Sequence, residues 1–219
     1  MEEEALNNEL LEPIEHISKE HDADLFGVAN INDFSKYNGK RHPSYYLPNA
    51  KTVIVIGIHM YDPILDVWIN SVDGKKEYYL VNEILGGIAS VILQFLETNN
   101  KKAILSPYSG VFTKDAGVMA GLGIIGRNNL LITKQYGPRV RLRAIITDAK
   151  LEPTTEKPNV SCDDCPNLCW SACPANAFSD GQYNKEVCAE YSEKNLKCLS
   201  DNAFLYCREC ELACPYGKA

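Results

Sequence analysis

The order of apolar and polar positions divides the first part of the chain into helices and strands. Residues 6–23 repeat apolar positions at helical spacing and predict a helix, and residues 24–31 have strand character. Residues 52–60, TVIVIGIHM, form a short and nearly all-apolar run that is rich in β-branched side chains. Such a run is typical of a buried strand.

The pattern continues with a longer amphipathic helix. Residues 77–97 repeat apolar positions three and four apart, and the pair Gly86 and Gly87 lies inside this helix. Glycine is costly within a helix, so the pair predicts close packing against another element. The remaining predicted elements are a strand at 102–106, a helix at 113–123 and strands at 128–133 and 140–147.

Residues 148–161 have no periodicity and contain two prolines and a pair of threonines, so we interpret them as a linker. The sequence therefore predicts an α+β protein of two domains. Residues 1–155 would form a three-layer α/β-type domain, and residues 156–219 a second, smaller domain.

Charge and composition narrow the function. The formal net charge is −7, which argues against nucleic acid as a partner, because neutralising phosphates requires clustered Lys and Arg. No stretch approaches the roughly 20 apolar residues of a membrane span. The acidic N-terminus lacks the features of a secretory signal. We expect a cytoplasmic protein without membrane contact.

All nine cysteines lie between Cys162 and Cys214. Their number is odd and no secretory signal is seen, so metal ligation explains them better than disulfides. Two segments, CDDCPNLCWSACP and CRECELACP, each end in Cys-Pro. Bacterial two-cluster ferredoxins use three closely spaced cysteines for one [4Fe–4S] cluster and send the fourth, next to proline, to the other cluster.

This pattern predicts that residues 156–219 form a small ferredoxin-like module with two [4Fe–4S] clusters. One takes Cys162, Cys165, Cys169 and Cys214, and the other takes Cys173, Cys188, Cys207 and Cys210. Cys188 is preferred over Cys198 as the last ligand, although either could complete the second cluster. The gap between Cys165 and Cys169 is one residue longer than usual. Two zinc sites are the alternative, since zinc also uses C-x2-C pairs, but they leave the Cys-Pro dipeptides unexplained.

A glycine motif precedes this module. Gly121, Gly123 and Gly126 match the dinucleotide fingerprint, but a predicted helix comes before them and a strand after, which reverses the required order. A turn whose glycines let a flat ligand approach the backbone fits better. Arg139, Arg141 and Arg143 alternate along the next strand; they would meet an anionic ligand or form a solvated face.

AGLGIIGRNNLLIT, followed by YGPRVRLRAIITD and the cysteine module, resembles the superfamily of epoxyqueuosine reductases and reductive dehalogenases. YYLPNAKTVIVIGI, YNKEVCAEYSE and FLYCRECELACPYGKA extend the resemblance over most of the chain. The resemblance implies a cobalamin-dependent iron–sulfur reductase in which residues 1–155 bind a corrinoid or substrate, and it supports Cys188 as a ligand. Residues near the corrinoid would be Gly121, Gly123, Gly126, Arg127, Asn128, Asn129 and Arg141.

The resemblance also locates a proton donor. Where epoxyqueuosine reductases carry an Asp, this chain has Pro107 followed by Tyr108, and tyrosine is the donor in the dehalogenase branch. Tyr108 is therefore the candidate catalytic residue. Two hypotheses follow: a reductase that takes electrons from an external low-potential donor and acts on a small molecule or partner protein, or an electron carrier without its own substrate.

Overall fold

The computed structural model describes residues 7–71, 77–156 and 158–217. They divide into two compact units. The first contains the described residues up to His59 together with Ile84–Gly123 and Arg141–Pro158; the second contains Met60–Glu83, Ile124–Val140 and the residues from Asn159 onward. The second unit thus draws on three segments of the chain, and the predicted domain boundary at 155–156 stays a prediction.

The described residues contain six α-helices and ten strands. The helices are α1 (Leu11–Glu20), α2 (Leu80–Thr98), α3 (Thr113–Met119), α4 (Leu168–Ser171), α5 (Lys185–Lys194) and α6 (Glu209–Leu212). The strands are β1 (Leu25–Asn30), β2 (Thr52–His59), β3 (Trp68–Asn70), β4 (Glu77–Tyr79), β5 (Ala103–Leu105), β6 (Ile124–Ile125), β7 (Leu131–Ile132), β8 (Val140–Thr147), β9 (Lys197–Cys198) and β10 (Ala203–Leu205).

The first unit is built on a four-stranded sheet of order β1-β2-β8-β5. Strands β1 and β2 pair antiparallel, as do β5 and β8. Every residue of β2 except His59 is buried, which confirms the buried strand that the apolar run predicted. Both faces of β2 are therefore covered, and helix α3 packs on β1 and β2. The mixed α/β character of the prediction is confirmed.

Helix α2 buries one face. Its buried positions recur at helical spacing and are Val81, Leu85, Ile88, Ala89, Ile92 and Leu96. By length and composition alone α2 could cross a membrane, so the expectation that no stretch reaches this length is wrong. A core helix passes the same test, and the buried stripe is what a core helix requires.

The glycine pair in α2 does not mark close packing. A Cβ added at Gly86 or at Gly87 would meet no atom within 4 Å outside the helix's own neighbouring backbone. The prediction of a close approach at this pair is therefore wrong. A pair of glycines within a helical pattern does not reveal whether another element packs against it.

The segment that the sequence suggested as a linker is anchored in the first unit. The Thr154 amide donates to the Val28 carbonyl at 2.9 Å, and the Val28 amide donates to Thr154 Oγ1 at 3.0 Å. Leu151 is buried, and its amide donates to Thr52 Oγ1 at 3.2 Å. Apart from Lys157, which lies outside the described residues, the stretch up to Pro158 belongs to this unit and does not form a free linker.

The second unit contains a four-stranded sheet of order β4-β3-β10-β9 and a hairpin of β6 and β7, with antiparallel pairing throughout. The Trp68 ring stacks on Tyr79 at a centroid distance of 4.4 Å. The predicted strand 128–133 is shorter than expected, because Asn128 and Asn129 lie in the hairpin turn. All nine cysteines belong to this unit.

Candidate metal centre

Four thiols form the first thiol group, Cys162, Cys165, Cys169 and Cys214. Burial raises the pKa of the Cys169 thiol, and the nearby thiols of Cys165 and Cys214 raise that pKa further. The pKa of Cys214 is likewise raised, first by burial and then by Cys162. All four residues line the same cavity. They are therefore close enough to act on one another.

Four other thiols form the second thiol group, Cys173, Cys188, Cys207 and Cys210. Burial raises the pKa of Cys210 to about 12, with further contributions from the other three thiols. The pKa of Cys207 is raised by burial and by its neighbours Cys188 and Cys173. Cys198 is an exposed residue of β9 and belongs to neither thiol group. These groups are the two sets that the sequence spacing suggested.

The local backbone explains how the two groups exchange a member. Cys169 lies on α4 and Cys210 on α6, and each short helix is followed by a Cys-Pro dipeptide. Proline cannot continue a helix, so the chain turns away at Cys173 and at Cys214. Cys173 thereby joins the group that contains α6, while Cys214 joins the group that contains α4. Two-cluster ferredoxins exchange cysteines in the same way.

The turn between β6 and β7 supports the first thiol group. Arg127 Nη1 donates to Asn167 Oδ1 at 2.6 Å and to the Cys165 carbonyl at 3.4 Å. In return, Trp170 Nε1 donates to the Arg127 carbonyl at 3.0 Å. Asn167 has a left-handed backbone with φ of 58°, immediately before α4. Arg127, which was predicted to contact a corrinoid, thus braces the cysteine loop.

Asn128 connects the same turn to the other cysteine segment. It is buried, its side-chain amide donates to the Cys210 carbonyl at 3.4 Å, and its Oδ1 accepts from the Leu130 amide at 3.2 Å. Asn129 adopts φ of 58° and closes the turn through a bond from its amide to the Gly126 carbonyl at 2.9 Å. The two asparagines therefore shape the turn, and Asn128 connects it to the backbone of Cys210 in the second thiol group.

Hydrogen bonds connect the last described residues to other segments of the second unit. Arg139 Nη2 donates to the Tyr216 carbonyl at 2.5 Å, and Nη1 donates to the Cys214 carbonyl at 3.4 Å. The Tyr216 hydroxyl donates to the Ser161 carbonyl at 3.0 Å. Gly137 has φ of 58°, and a Cβ there would lie 2.1 Å from the Tyr216 carbonyl oxygen. These contacts hold Cys214 in the first thiol group.

Three further predicted ligand-binding residues lie in the first unit, namely Gly121, Gly123 and Arg141. Gly121 has φ of 73°, and a Cβ there would lie 2.5 Å from the Glu156 carbonyl oxygen. Protein backbone therefore fills the space beside Gly121 into which a flat ligand was expected. Gly123 is buried and Arg141 is half-buried. In the second unit, a Cβ on Gly126 would lie 2.5 Å from Ile132 Cγ1.

Tyr108 lies in the loop between β5 and α3, with 63% of its surface exposed. The guanidinium carbon of Arg143 lies 4.1 Å from the centre of the Tyr108 ring, within cation–π range. Arg143 itself is only 7% exposed. For this residue the solvated strand face is wrong, because its charge is placed against an aromatic ring and not in water.

Several supporting residues were not predicted. The Tyr183 hydroxyl hydrogen-bonds the Cys188 thiol, and burial, followed by this bond, raises the pKa of Tyr183. Asn167 and Tyr216 were also missed. The left-handed Asn just before a helix is the one signal that sequence could have offered.

The described residues do not form a site for a single metal ion. Within residues 7–71, 77–156 and 158–217, no three His, Cys, Asp or Glu side chains are arranged to hold one metal ion. The donor set itself, two groups of four thiols, suits a polynuclear iron–sulfur cluster, which spans more space than one ion and takes Cys₄ ligation.

These features define a mixed α/β protein with a cysteine-rich unit that contains two four-thiol groups. No model of a known protein family matches the chain. Over 107 residues it is 34% identical to the epoxyqueuosine reductase of Listeria monocytogenes, a match that covers 45% of this chain and 28% of that protein. Over 120 residues it is 36% identical to the tetrachloroethene reductive dehalogenase of Desulfitobacterium hafniense, covering 46% and 21%.

Solved structures give the fold. A crystal structure of epoxyqueuosine reductase with a tRNA stem loop matches 96% of this chain and 66% of that one, with a TM-score of 0.71 and 19% identity. A reductive dehalogenase whose structure suggests a mechanism for B12-dependent dehalogenation matches 100% and 34%, with a TM-score of 0.75 and 19% identity. The chain is thus related to the superfamily of epoxyqueuosine reductases and reductive dehalogenases, as its motifs predicted.

Two facts bear on what these similarities show about this chain. The match covers less than a third of the length of the curated relatives named above. One neighbour holds a tRNA stem loop, so a net charge of −7 does not exclude nucleic acid for a protein of this fold. The expectation against a nucleic-acid partner therefore does not stand.

Proposed function

We propose that this protein is an iron–sulfur reductase of the epoxyqueuosine reductase and reductive dehalogenase superfamily. The observation that carries the proposal is the pair of four-thiol groups that exchange Cys173 and Cys214. Eight thiols in this arrangement fit two [4Fe–4S] clusters by number, chemistry and connectivity.

The first thiol group would hold one cluster and the second group the other. Bound clusters supply single-electron transfer, and the chain's own residues position and shield them. The Ala177 amide donates to the Cys173 sulfur at 3.4 Å, and such a bond stabilises a thiolate. The raised thiol pKa values mean that protons must leave when metal binds.

Electrons would enter from an external low-potential donor near the first thiol group. An open surface depression of about 640 Å³ is lined by Cys165 and by Ser161, Asp164, Pro166, Pro215 and Tyr216. A donor protein that docks there would approach a cluster ligand directly. The same depression is the observation that favours the alternative function, an electron carrier that serves a partner.

A corrinoid is the second cofactor in this proposal, and it rests on the relatives. The dehalogenase neighbour is named for B12-dependent chemistry. Tyr108 would donate a proton from its exposed hydroxyl, and the cation of Arg143 beside the ring would stabilise the phenolate left behind. The acceptor would be a small molecule, a partner protein or a tRNA, the last suggested by the tRNA-bound neighbour. Location in the cytoplasm is part of the proposal.

Anaerobic purification with iron, sulfide and cobalt analysis tests the clusters. We expect about eight irons per chain, four for each [4Fe–4S] cluster. Cys169→Ala and Cys207→Ala should each lower the iron content to about four and leave one EPR signal. Cys198→Ala is the matched control and should keep the full iron content. Stoichiometric zinc in place of iron would refute the proposal.

Titration with cob(II)alamin separates the two functions. A reductase should bind it saturably, with a change in visible absorption and EPR, and Tyr108→Phe should retain this binding. Full iron content without any response to cobalamin would favour the electron carrier.

A further inference from the structure

The loop between β5 and α3 carries the candidate proton donor. This loop comprises residues 106–112 and is called the Tyr108 loop below. Within it the Val111 amide donates to Ser106 Oγ at 3.2 Å, and both of these residues are buried. In contrast, 63% of the surface of Tyr108 is exposed. The base of the loop is therefore packed into the first unit, while Tyr108 is open to solvent.

Arg41 contacts the second half of this loop from a distant segment of the first unit. It ends the 3-10 helix Gly39–Arg41, and its Nη1 donates to the Gly110 carbonyl at 2.7 Å. Its guanidinium carbon lies 3.9 Å from the centre of the Phe112 ring, within cation–π range. One guanidinium therefore binds the loop at two points, through two kinds of interaction.

A turn inside the loop connects these contacts to Tyr108. The Gly110 amide donates to the Pro107 carbonyl at 2.8 Å, so Tyr108 lies within this turn. Arg41 holds the far end of the turn at the Gly110 carbonyl. The ring of Tyr108 lies against the guanidinium of Arg143. Two arginines from different segments thus hold the loop, one through its backbone and one through the aromatic ring.

We propose that Arg41 is a positioning residue, which fixes the Tyr108 loop and thereby the place of the Tyr108 hydroxyl. A proton donor must lie within hydrogen-bond reach of its acceptor, and small displacements of such a group cost large factors in rate. Arg41 acts through the loop and takes no part in the proton transfer. The inference deepens the proposed function and rests on it, because it takes Tyr108 as the proton donor.

The chain offers matched variants for this test. Arg41→Ala removes both contacts of the guanidinium with the loop. Arg41→Lys keeps the positive charge, but an ammonium group lacks the planar fork that binds the carbonyl and covers the ring together. Lys40→Ala is the control, because it removes the same charge from an exposed side chain of the same 3-10 helix. Phe112→Leu removes the ring contact alone and is the second variant if Arg41→Ala yields too little folded protein.

Hydrogen exchange of the anaerobic holoprotein, followed by mass spectrometry, measures how often the loop opens. The amides of Gly110 and Val111 report this opening, since both donate hydrogen bonds within the loop. Arg41→Ala should raise their exchange by about tenfold or more, because a charge-assisted hydrogen bond and a cation–π contact are both lost. Arg41→Lys should give an intermediate value. Phe112→Leu should raise exchange by about two- to fivefold, and Lys40→Ala by no more than about twofold.

Fluorine NMR of protein labelled with 3-fluorotyrosine measures the effect on Tyr108 itself. The chain has 12 tyrosines, and the resonance that is missing from Tyr108→Phe belongs to Tyr108. Arg41→Ala should shift or broaden this resonance, and Arg41→Lys should restore it in part. A role of Arg41 that is limited to stability would leave the Tyr108 resonance of the folded protein unchanged.

Unchanged exchange at Gly110 and Val111 in Arg41→Ala, or equal exchange in Arg41→Ala and Lys40→Ala, would overturn the inference. Faster exchange with an unchanged Tyr108 resonance would also overturn it, because Arg41 would then stabilise the loop without positioning the donor. Absence of iron from the unaltered protein is a different result, which refutes the proposed function. Neither the exchange nor the fluorine signal depends on that result.

Discussion

The clearest test of the glycine turn is Gly121→Ala. The backbone at Gly121 is left-handed, with φ of 73°, which costs an alanine about 1–2 kcal/mol. The new Cβ would also lie 2.5 Å from the Glu156 carbonyl oxygen, so the 154–156 segment must move. That movement strains the two hydrogen bonds between Thr154 and Val28, each worth about 1 kcal/mol. Together these losses predict a destabilisation of about 2–4 kcal/mol.

Urea unfolding of the cofactor-free protein, followed by circular dichroism, measures this loss. Gly87→Ala is the control, because Gly87 lies in α2 with no atom near an added Cβ, and it should gain about 0.5–1 kcal/mol. If Gly121→Ala instead lost less than about 1 kcal/mol and weakened only cobalamin binding, the internal explanation of Gly121 would be wrong.

Three further outcomes are expected. Tyr108→Phe should lower reductase turnover by about 10²–10⁴-fold while leaving unfolding unchanged, because the ring contact with Arg143 is retained. Burial, then a hydrogen bond with Asp115, raises the pKa of Tyr37, so its contribution to stability is complete below about pH 10 and falls as pH rises through the folded pKa. Asp115→Asn should lower that pKa in an ultraviolet titration. Asn128→Ala should reduce iron retention, since it leaves buried backbone groups without their side-chain partner, and unchanged iron after gel filtration would contradict this.

Elements whose pattern is local were predictable. Strand β2 is buried along nearly its whole length, and a nearly all-apolar run predicts that environment without reference to any partner. The spacing of the cysteines predicted most members of the two thiol groups for a related reason, because short loops ending in Cys-Pro restrict where each thiol can lie. The family resemblance supported Cys188 as the last member, and cluster binding by the two groups stays a prediction.

Contacts between distant segments were not predictable in this way. The glycine pair of α2 and the glycine at position 121 look alike in sequence, yet only Gly121 has backbone against it. The segment 148–156 has the composition of a linker, but its hydrogen bonds to β1 make it part of the first unit. Its amides find partners because a strand edge lies beside it, and composition does not report that edge.

The sequence by itself determined the buried strand β2 and the cysteine-rich segment, since these depend on side-chain type and short spacing. Only the tertiary structure decided that Arg127 and Asn128 brace the cysteine loops, and that Asp66 meets Arg208 beside Cys207. These contacts join residues far apart in the chain. Which residues meet depends on how the segments pack, and no short pattern in the sequence reports that packing.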